Sequence, residues 1–450
     1  LAFDGEYSSA LEKSVDAGAF GLLFEAGNPA ELKSAILCLA ANGNARKLIG
    51  QNARKAAERK HTWTQHVSRF MQAFNAVVGA EKVRPTHILL NALHSKSGGG
   101  VTYLQNMLPQ LSKISDIKVT LVLHPKQKDL FLPYLAGVET QYIASGTGML
   151  SIILAEQFSL PRLAKKLSVD VVFSTANYGP LNISNGVILL RNSLDVAMVE
   201  RRITKLVYWG LIYLATMASL MRARRAIAVS NYASDASIRG IFAGLRKKVA
   251  IVSHGISPAF LKIKRKPVAP PFLLAVSDIY VQKNLHTLIL GFAPLLIDTS
   301  SLVLKIAGKP LDASYYEQLR NVIEELGIGH AVEFLGHVDK ANLLTLYRDC
   351  HVFIFPSTVE TFGNPLVEAM AAGCPIICSN KAAMPEVAGD AVRYVRPDIP
   401  HDFTEALNEF LEDEKTRNDF SARARERSKI YSWEITARRT ADVLHDAAYR

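Results

Sequence analysis

The sequence predicts an α/β protein built from two parallel-sheet domains that face each other across a cleft, and three observations support this fold class. Short apolar runs alternate with longer amphipathic stretches along most of the chain. The alternation stops at the proline-rich segment 266–271 and then restarts, which indicates a linker. The 450 residues exceed what one hydrophobic core supports, so two or three domains are expected. Alternation of strands and helices predicts parallel sheets with helices on both faces.

Six strands are predicted in each block. Those of the first block are expected at residues 87–91, 118–123, 170–174, 186–190, 226–230 and 249–253. Those of the second block are expected at residues 272–277, 302–307, 332–335, 351–355, 375–378 and 392–394. We therefore predict domains at 85–266 and 272–450, with the last helix of the chain crossing back to the first domain.

An internal repeat links the two ends of the chain. The segment from Gly18 to Trp63 parallels the segment from Gly389 to Trp433, with spacings of 45 and 44 residues. Residues 1–82 are therefore expected to be the C-terminal remnant of an upstream domain of the same kind, in a tandem protein that has been cut. The chain begins with Leu1, which favours a fragment or a processed product. The alternative is a coincidence between two amphipathic helical tails.

The positive charge is concentrated in the first predicted domain. Residues 85–266 carry 23 Lys and Arg against eight Asp and Glu, a net charge of +15 in a chain whose total is +11. This asymmetry favours an anionic partner. Basic and aromatic residues are not interleaved in the way that is typical of nucleic-acid binding. The favoured partner is therefore an anionic membrane surface that carries the acceptor. The alternative is that the charge only provides solubility.

Two further patterns bear on location. The uncharged run 206–221 is too short to span a bilayer and is flanked by arginines, so it predicts a buried helix or, alternatively, a helix lying in a membrane interface. The four cysteines lack the spacing of metal ligands and are expected to be core thiols in a reducing compartment. We expect a cytoplasmic protein, in peripheral contact with the inner face of the membrane.

The most informative motif runs from Glu360 to Gly373 and follows an apolar run that predicts a buried strand. Gly363 allows the backbone to approach a ligand closely, and Pro365 suits the first turn of a helix. Free amides at a helix N-terminus attract phosphate groups. Glu360 and Glu368, eight residues apart, bracket this N-terminus. The motif therefore predicts a site that holds a sugar at one end and a ribose at the other.

These residues resemble family 4 of the retaining glycosyltransferases, which have the GT-B fold of two facing Rossmann-like domains. The resemblance covers about residues 85–450, and residues 1–80 match only the C-terminal end of the family. It implies transfer of a hexose from a UDP- or GDP-sugar to a glycan or lipid-linked acceptor in cell-envelope polysaccharide synthesis. It implies no cofactor, and we expect no metal because no Asp-x-Asp pair is present. A binding module without turnover and a nucleotide-sugar epimerase are the alternatives.

The resemblance assigns the main catalytic and donor-binding roles to the second domain. Glu360 is implied to contact the donor sugar and Lys283 to neutralise the leaving diphosphate, while Glu368 accepts hydrogen bonds from the ribose. Asp278 lies where the family usually has an arginine that neutralises the diphosphate together with the lysine. A carboxylate repels phosphate, so this substitution is expected to weaken diphosphate binding unless the side chain turns away. The Phe362 and Gly363 amides are implied to meet sugar hydroxyls. The helix start from Asn364 through Pro365 to Leu366 is implied to face the diphosphate.

The remaining implied contacts come from loops around the cleft. Gly99 and Gly100 belong to a glycine run beside the donor phosphate, although such a run also occurs in a simple tight turn. Asn192 lies where many relatives have a histidine and is expected to hydrogen-bond the sugar. His254 is expected to be a donor contact or a structural hydrogen-bonding residue. Residues near the nucleotide base are implied to be Lys309, Gly336 and His337.

Overall fold

The structure, a computed structural model, describes residues 21–22, 27–60, 63, 67, 70–71 and 84–449, apart from 97, 147, 194, 200, 201, 298 and 300. The chain divides into two compact units, residues 1–84 and 85–450. In the first unit, helix α1 (Pro29–Ala41) is followed by helix α2 (Gly43–Lys60). Gly18, where the predicted repeat begins, lies outside the described residues.

The first half of the second unit contains a seven-stranded parallel sheet with the order β3-β2-β1-β4-β5-β6-β7. The strands are β1 (Thr86–Asn91), β2 (Ile117–Leu123), β3 (Glu139–Tyr142), β4 (Val171–Ser174), β5 (Gly186–Leu190), β6 (Arg225–Ala228) and β7 (Val249–Ile251). The α-helices are α3 (Gly98–Leu111), α4 (Lys128–Phe131), α5 (Met149–Leu154), α6 (Leu160–Lys166), α7 (Val196–Val199), α8 (Ile203–Arg222), α9 (Asn231–Ser237) and α10 (Pro258–Leu261).

Strand β3 is absent from the sequence prediction, which has only six strands in this domain. Its four residues are partly or fully exposed and show no apolar run. As an edge strand paired only with β2, it buries little side-chain surface and leaves no clear hydrophobic signal. The prediction of six strands is therefore wrong by this one edge strand.

The second half of this unit contains a six-stranded parallel sheet with the order β10-β9-β8-β11-β12-β13. The strands are β8 (Phe272–Val276), β9 (Val303–Ala307), β10 (Val332–Gly336), β11 (Val352–Phe355), β12 (Ile376–Ser379) and β13 (Arg393–Val395). The α-helices are α11 (Leu285–Phe292), α12 (Ala313–Glu325), α13 (Lys340–Asp349), α14 (Asn364–Ala372), α15 (Met384–Ala388), α16 (Pro400–Glu412), α17 (Glu414–Ser428) and α18 (Trp433–Tyr449). The prediction of two parallel-sheet domains is confirmed.

Short 3₁₀ and π segments complete the secondary structure of the described residues. The 3₁₀ segments are Pro125–Gln127, Leu132–Tyr134, Gly240–Lys248, Val281–Lys283 and Ala293–Ile297. A π-helical segment, Ala155–Ser159, joins α5 to α6.

A continuous hydrophobic core links the two sheets. The central strands are buried on both faces because helices cover each sheet on both sides, as apolar sequences such as Ile376–Ser379 require. The core runs from the first sheet through Trp433 to Phe362 and α14 in the second domain. Helix α18 packs against α3, and the Thr436 hydroxyl donates to the Ser253 carbonyl oxygen over 2.8 Å. This packing fixes α14 close to the first sheet.

Helix α8 is the one described helix that is long and apolar enough to cross a membrane. Only about a quarter of the residues in its most apolar 18-residue stretch are buried. Ile203, Val207, Leu211 and Leu214 are 77%, 58%, 60% and 64% exposed, while the opposite face packs on the domain through Leu220 and its neighbours. The interpretation of this run as a buried helix is therefore wrong, because the helix covers the sheet with one face only.

Helix pairs α1–α2 and α16–α17 share the same internal bonding. In both pairs the first helix has 13 residues and begins with proline. One residue separates the helices, and its side chain, Asn42 or Asp413, accepts a hydrogen bond from the backbone N–H three residues later. Arg46 and Arg417, each four residues after that cap, donate to the carbonyl oxygens six and seven residues earlier. The two pairs are therefore alike in sequence spacing and in capping.

Candidate functional site

The N-terminus of helix α14 is built by the motif that the sequence analysis singled out. Buried strand β11 ends at Phe355, and the chain reaches the helix through Gly363, which has a φ of +84°. A Cβ atom at Gly363 would lie 3.0 Å from the Phe355 ring, so both the backbone and the space require glycine. Pro365 lies in the first turn, and no side chain caps this N-terminus. The arrangement can bind an anion with backbone amides.

Glu360 and Lys283 form an ion pair beside this helix tip. Their side chains are only 15% and 17% exposed. The loops that carry them are joined by the Thr358 N–H, which donates to the Gln282 carbonyl oxygen over 2.9 Å. The fold thus brings together the two predicted catalytic residues, which are 77 residues apart in sequence. In this state each charge neutralises the other.

Asp278 is engaged with the backbone of a neighbouring loop. Its Oδ1 accepts a hydrogen bond from the Lys309 N–H over 2.9 Å. The Lys309 side chain itself is exposed. The carboxylate that stands in place of an expected arginine therefore ties the end of β8 to the end of β9.

Glu368 faces a pocket of about 370 Å³ between the two domains. Its Oε2 accepts a hydrogen bond from the Tyr347 hydroxyl over 3.1 Å. Burial raises the pKa of Glu368 from 4.5 to about 7. Asn364 and His337 line the same pocket from the second domain, and helix α3 lines it from the first. Glu368 is therefore a desolvated carboxylate that lines a pocket between the two domains.

His254 connects the first domain to the tip of α14. Its Nδ1 lies 3.0 Å from the Asn364 Oδ1, and its ring stacks on Trp433 with centroids 5.5 Å apart. Burial lowers the pKa of His254 to about 4, so the ring is neutral at pH 7. Its Nε2 is buried and has no hydrogen-bond partner. These contacts make it a positioning residue for Asn364.

The glycine run of the first domain forms the first turn of helix α3. The tight-turn interpretation of Gly99 and Gly100 is therefore wrong, because both residues lie within the helix that begins at Gly98. The guanidinium of Arg191 lies against Gly100, where a Cβ atom would be 2.1 Å from Nη1. The Asn192 side chain is exposed, and its backbone N–H donates to Asn177 over 3.0 Å.

The other residues that are predicted to contact the donor lie as follows. Gly336 ends β10 with a φ of +64°, and exposed His337 follows it at the pocket. The ring of Phe362 is buried 5.1 Å from the His254 ring. Leu366 is buried in the core, while the Pro365 carbonyl oxygen accepts from the Tyr347 hydroxyl over 3.3 Å.

Hydrogen bonds between the domains surround the signature loop, and the sequence analysis missed the residues that make them. The Thr361 hydroxyl donates to the Arg191 carbonyl oxygen over 2.7 Å, and the Ser230 hydroxyl donates to the Thr361 carbonyl oxygen over 2.6 Å. Glu386 of the second domain accepts from the N–H groups that begin α9. No local pattern marks these residues, since each pair joins segments more than 100 positions apart.

A buried polar cluster lies at the carboxyl ends of β1 and β4, where parallel sheets bind ligands. Fully buried Glu156 accepts from the Asn91 amide over 2.5 Å and lies 3.2 Å from His94. The Tyr178 hydroxyl lies 3.3 Å from the other ring nitrogen of His94. Burial raises the pKa of Tyr178 to about 12. Sequence analysis missed this cluster, although Asn91 ends a predicted strand and His94 lies three residues after it.

The described residues form neither a metal-binding cluster nor a disulfide bond. Across the described residues, no three His, Cys, Asp or Glu side chains lie together in a way that would hold a metal ion. All four cysteines are free and buried. Cys350 and Cys374 have sulfur atoms 3.9 Å apart beside the Arg265 guanidinium.

Comparison with known families places the signature loop in a recognised domain. Residues 257–427 match the model of the family described as glycosyl transferases group 1. The chain therefore contains a glycosyltransferase group 1 domain. The matched residues run from the start of α10 to within α17, and they include Glu360, Lys283 and Glu368.

Similar sequences include bacterial mannosyltransferases. The chain is 35% identical over 112 residues to the O-antigen chain mannosyltransferase B of Escherichia coli, covering 25% of this chain and 29% of that protein. It is 26% identical over 217 residues to the serotype-specific mannosyltransferase WbdA of Escherichia coli, covering 48% of this chain and 26% of that protein. The matched regions thus span less than a third of either relative.

Solved structures share the two-domain fold that surrounds the group 1 domain. HepE of Anabaena, in complex with UDP and glucose, aligns with a TM-score of 0.63 at 17% identity, covering 80% of this chain and all of that one. WaaG, a glycosyltransferase of lipopolysaccharide biosynthesis, aligns with a TM-score of 0.59 at 14% identity, covering 80% and 99%. The fold of residues 85–450 is GT-B.

Proposed function

We propose that the protein is a retaining glycosyltransferase that moves a hexose from a nucleotide-sugar to a glycan or lipid-linked acceptor in cell-envelope polysaccharide synthesis. The observation that carries this proposal is the uncapped tip of α14 in the group 1 domain, flanked by the Glu360–Lys283 pair and by Glu368 at the pocket. The names of the similar mannosyltransferases favour mannose as the sugar.

The proposed donor lies across the tip of α14. The diphosphate contacts the first-turn amides, Glu368 accepts hydrogen bonds from the ribose, and Glu360 contacts the sugar. Lys283 then exchanges its bond to Glu360 for one to the departing phosphate, which stabilises the leaving charge. In this retaining mechanism the departing phosphate takes the proton of the acceptor hydroxyl on the same face of the sugar. Orientation and electrostatic stabilisation supply the catalysis, and no metal or cofactor is required in this proposal.

The acceptor side of the proposed reaction is the first domain. His94, held by buried Glu156 and Tyr178, offers hydrogen bonds to an acceptor hydroxyl. Tyr178 also lines a largely apolar groove of about 520 Å³ between α5 and α8. A polar cluster that borders an apolar groove suits an acceptor with a carbohydrate head and a lipid tail.

We further propose that the exposed face of α8 contacts an anionic membrane surface at the inner face of the cytoplasmic membrane. Leu211 and Leu214 are exposed on this face, and Leu150 on α5, beside the groove, is 70% exposed. Lys205 and Arg222 are exposed near the two ends of α8, and cations of this kind are attracted to anionic lipids. Sedimentation with vesicles of neutral or anionic lipid tests this proposal. A Leu211→Glu, Leu214→Glu variant should lose binding, and equal binding by the parent and this variant would contradict it.

The transferase proposal is tested by incubation with a panel of UDP- and GDP-sugars. Slow release of free nucleotide, accelerated by an acceptor, supports transfer, and sugar interconversion would indicate an epimerase. Proton NMR of the product tests retention of the anomeric configuration. Activity that survives exhaustive EDTA treatment supports metal independence, and full loss restored by a divalent cation would contradict it.

A binding module without turnover is the second candidate. The observation that favours it is Asp278, which places a carboxylate where the resemblance implies a cation. Its bond to the Lys309 amide accounts for that carboxylate without any role in phosphate binding. Donor binding without nucleotide release, in the presence of extracts that contain envelope glycans, would favour this candidate.

The domain assignment and the membership of family 4 are proposals of the same kind. The helix pairs α1–α2 and α16–α17 are capped in the same way. This similarity supports the proposal that residues 1–82 come from a second unit of the same fold. Arg46→Ala and Arg417→Ala should each reduce amide protection around their own helix junction, as measured by hydrogen exchange. Loss of protection at only one junction would contradict equivalence.

A further inference from the structure

Arg191 is a cation without a partner at the carboxyl end of β5. Its Nη1 is buried and has no hydrogen bond, and no described side chain forms an ion pair with its guanidinium. An isolated buried cation is unfavourable because desolvation disfavours its charged form. Burial accordingly lowers the pKa of Arg191, although the group stays protonated at neutral pH. Such a residue is typical of a site whose counter-charge arrives with a ligand.

The ionisable side chains that face Arg191 do not supply that counter-charge. They are Tyr103, Tyr178 and His254. Burial raises the pKa of both tyrosines, so they are neutral at pH 7, and the pKa of His254 is about 4, so that ring is neutral too. The positive charge of Arg191 is therefore uncompensated within the described residues around it.

Helix α3 adds its own positive end to this position. The Arg191 guanidinium lies against Gly100 in the first turn of α3, where a Cβ atom would be 2.1 Å from Nη1 and 2.9 Å from Cζ and Nη2. No acidic side chain occupies that first turn. The N-terminal end of a 14-residue helix carries a partial positive charge, so it repels the guanidinium and attracts an anion.

Arg191 also lies next to the proposed donor. The Thr361 hydroxyl donates a hydrogen bond to the Arg191 carbonyl oxygen and so holds Arg191 against the signature loop. Thr361 is adjacent to Glu360 in sequence and two residues before Gly363. His254, which faces the guanidinium, contacts Asn364 at the tip of α14. The tips of α3 and α14 and the unpaired guanidinium therefore converge on one part of the cleft.

Lys283 does not fill this role in the unliganded protein, because it is paired with Glu360. A diphosphate carries more negative charge than one lysine neutralises. We propose that Arg191, seated on Gly100 in the first domain, binds the diphosphate of the nucleotide-sugar and supplies the second cation for the leaving group. This inference rests on the proposed function and assigns the role to a residue outside the group 1 domain.

Gly100 provides an independent way to displace the guanidinium. A methyl group at Gly100 overlaps the flexible end of Arg191 and not the backbone, so Gly100→Ala should move that side chain without unfolding the domain. Gly244 has no heavy atom within 4 Å of a virtual Cβ and is exposed, so Gly244→Ala is the matched glycine control. Arg162 is exposed on α6 of the same domain, so Arg162→Gln is the matched arginine control.

The experiment is calorimetric titration of the full chain with UDP, GDP, inorganic pyrophosphate, and the nucleosides uridine and guanosine. Arg191→Gln and Gly100→Ala should each weaken binding of the preferred nucleoside diphosphate at least about tenfold, and both controls should leave it unchanged. Nucleoside binding should be unchanged in all variants, because a nucleoside lacks the diphosphate. Arg191→Lys should recover part of the loss.

The outcomes separate this inference from the transferase proposal. Unchanged diphosphate affinity in folded Arg191→Gln and Gly100→Ala would overturn the inference and leave the proposed donor site intact. Binding of pyrophosphate that depends on Arg191, without binding of any nucleotide, would support the anion site and contradict the transferase. Binding of none of these ligands by the parent protein would overturn both. If Arg191→Gln fails to fold, Gly100→Ala, which retains the arginine, decides the matter.

Discussion

Glu368 gives the sharpest test of the site, because one substitution should stabilise the fold while it weakens donor binding. Burial raises the pKa of this carboxyl from 4.5 to about 7. One pKa unit corresponds to about 1.4 kcal/mol, so the shift amounts to about 3 kcal/mol of unfavourable free energy when the group is ionised in the folded chain. The Glu368→Gln variant keeps the shape and the hydrogen bond from Tyr347 but carries no charge.

The sign of the pH dependence follows from proton binding. Between pH 4.5 and about 7 the folded chain holds a proton that the unfolded chain has released, so the free energy of unfolding falls as pH rises through this window. Glu368→Gln removes that dependence. It should therefore unfold at a temperature several degrees above that of the parent at pH 8 and at a similar temperature at pH 4.5, where both side chains are neutral.

The assay is thermal unfolding of the parent and the variant across pH 4.5–8, with exposed Glu325→Gln as the control. The difference between parent and variant cancels every other titrating group. Titration with the preferred nucleoside diphosphate should show a loss of about tenfold or more in Glu368→Gln, since an amide offers the ribose one acceptor instead of two. A stability difference that does not change with pH would refute the desolvation argument, and unchanged affinity would refute the ribose role.

Three other substitutions test the surrounding geometry. Lys283→Ala should lower turnover at least about tenfold, about 1.4 kcal/mol, with a smaller effect on donor binding, as measured by nucleotide release; equal turnover would remove it from the leaving-group role. Gly363→Ala forces a side chain into a φ of +84° and should cost about 1–2 kcal/mol in chemical denaturation, whereas no loss would show that the loop rearranges freely. Glu386→Ala removes the acceptor for the first N–H groups of α9 and should cost about 1 kcal/mol in unfolding free energy, with Glu386→Gln retaining most of it.

Sequence patterns predicted the sheets well where strands are central. All six strands of the second domain and six of the seven in the first lie where apolar runs were found, because central parallel strands are buried on both faces. Edge strands β7, β10 and β13 were found as well, since each keeps apolar residues that pack on the core. Edge strand β3 was missed, since Glu139–Tyr142 is polar and partly exposed. The face of α8 was misjudged because an uncharged run indicates apolar surface and does not show what covers it.

The signature residues were also accessible from sequence, because they lie within one strand–turn–helix unit. Glu360, Gly363, Pro365 and Glu368 have local spacing that a helix tip requires. Arg191 was not singled out, since it is one of 23 basic residues in its domain. Its position directly after a predicted strand is the one signal that was present, because parallel sheets bind ligands at their carboxyl ends.

The sequence by itself determined the α/β class, the placement of the central strands and the start of α14 after Gly363, because these depend on contacts between residues close along the chain. Only the tertiary structure decided that Lys283 pairs with Glu360, that His254 meets Asn364 and that Arg191 rests on Gly100 without a counter-charge. Those contacts join residues from about 80 to 110 positions apart, and the order of strands in each sheet, which no local pattern encodes, brings them together.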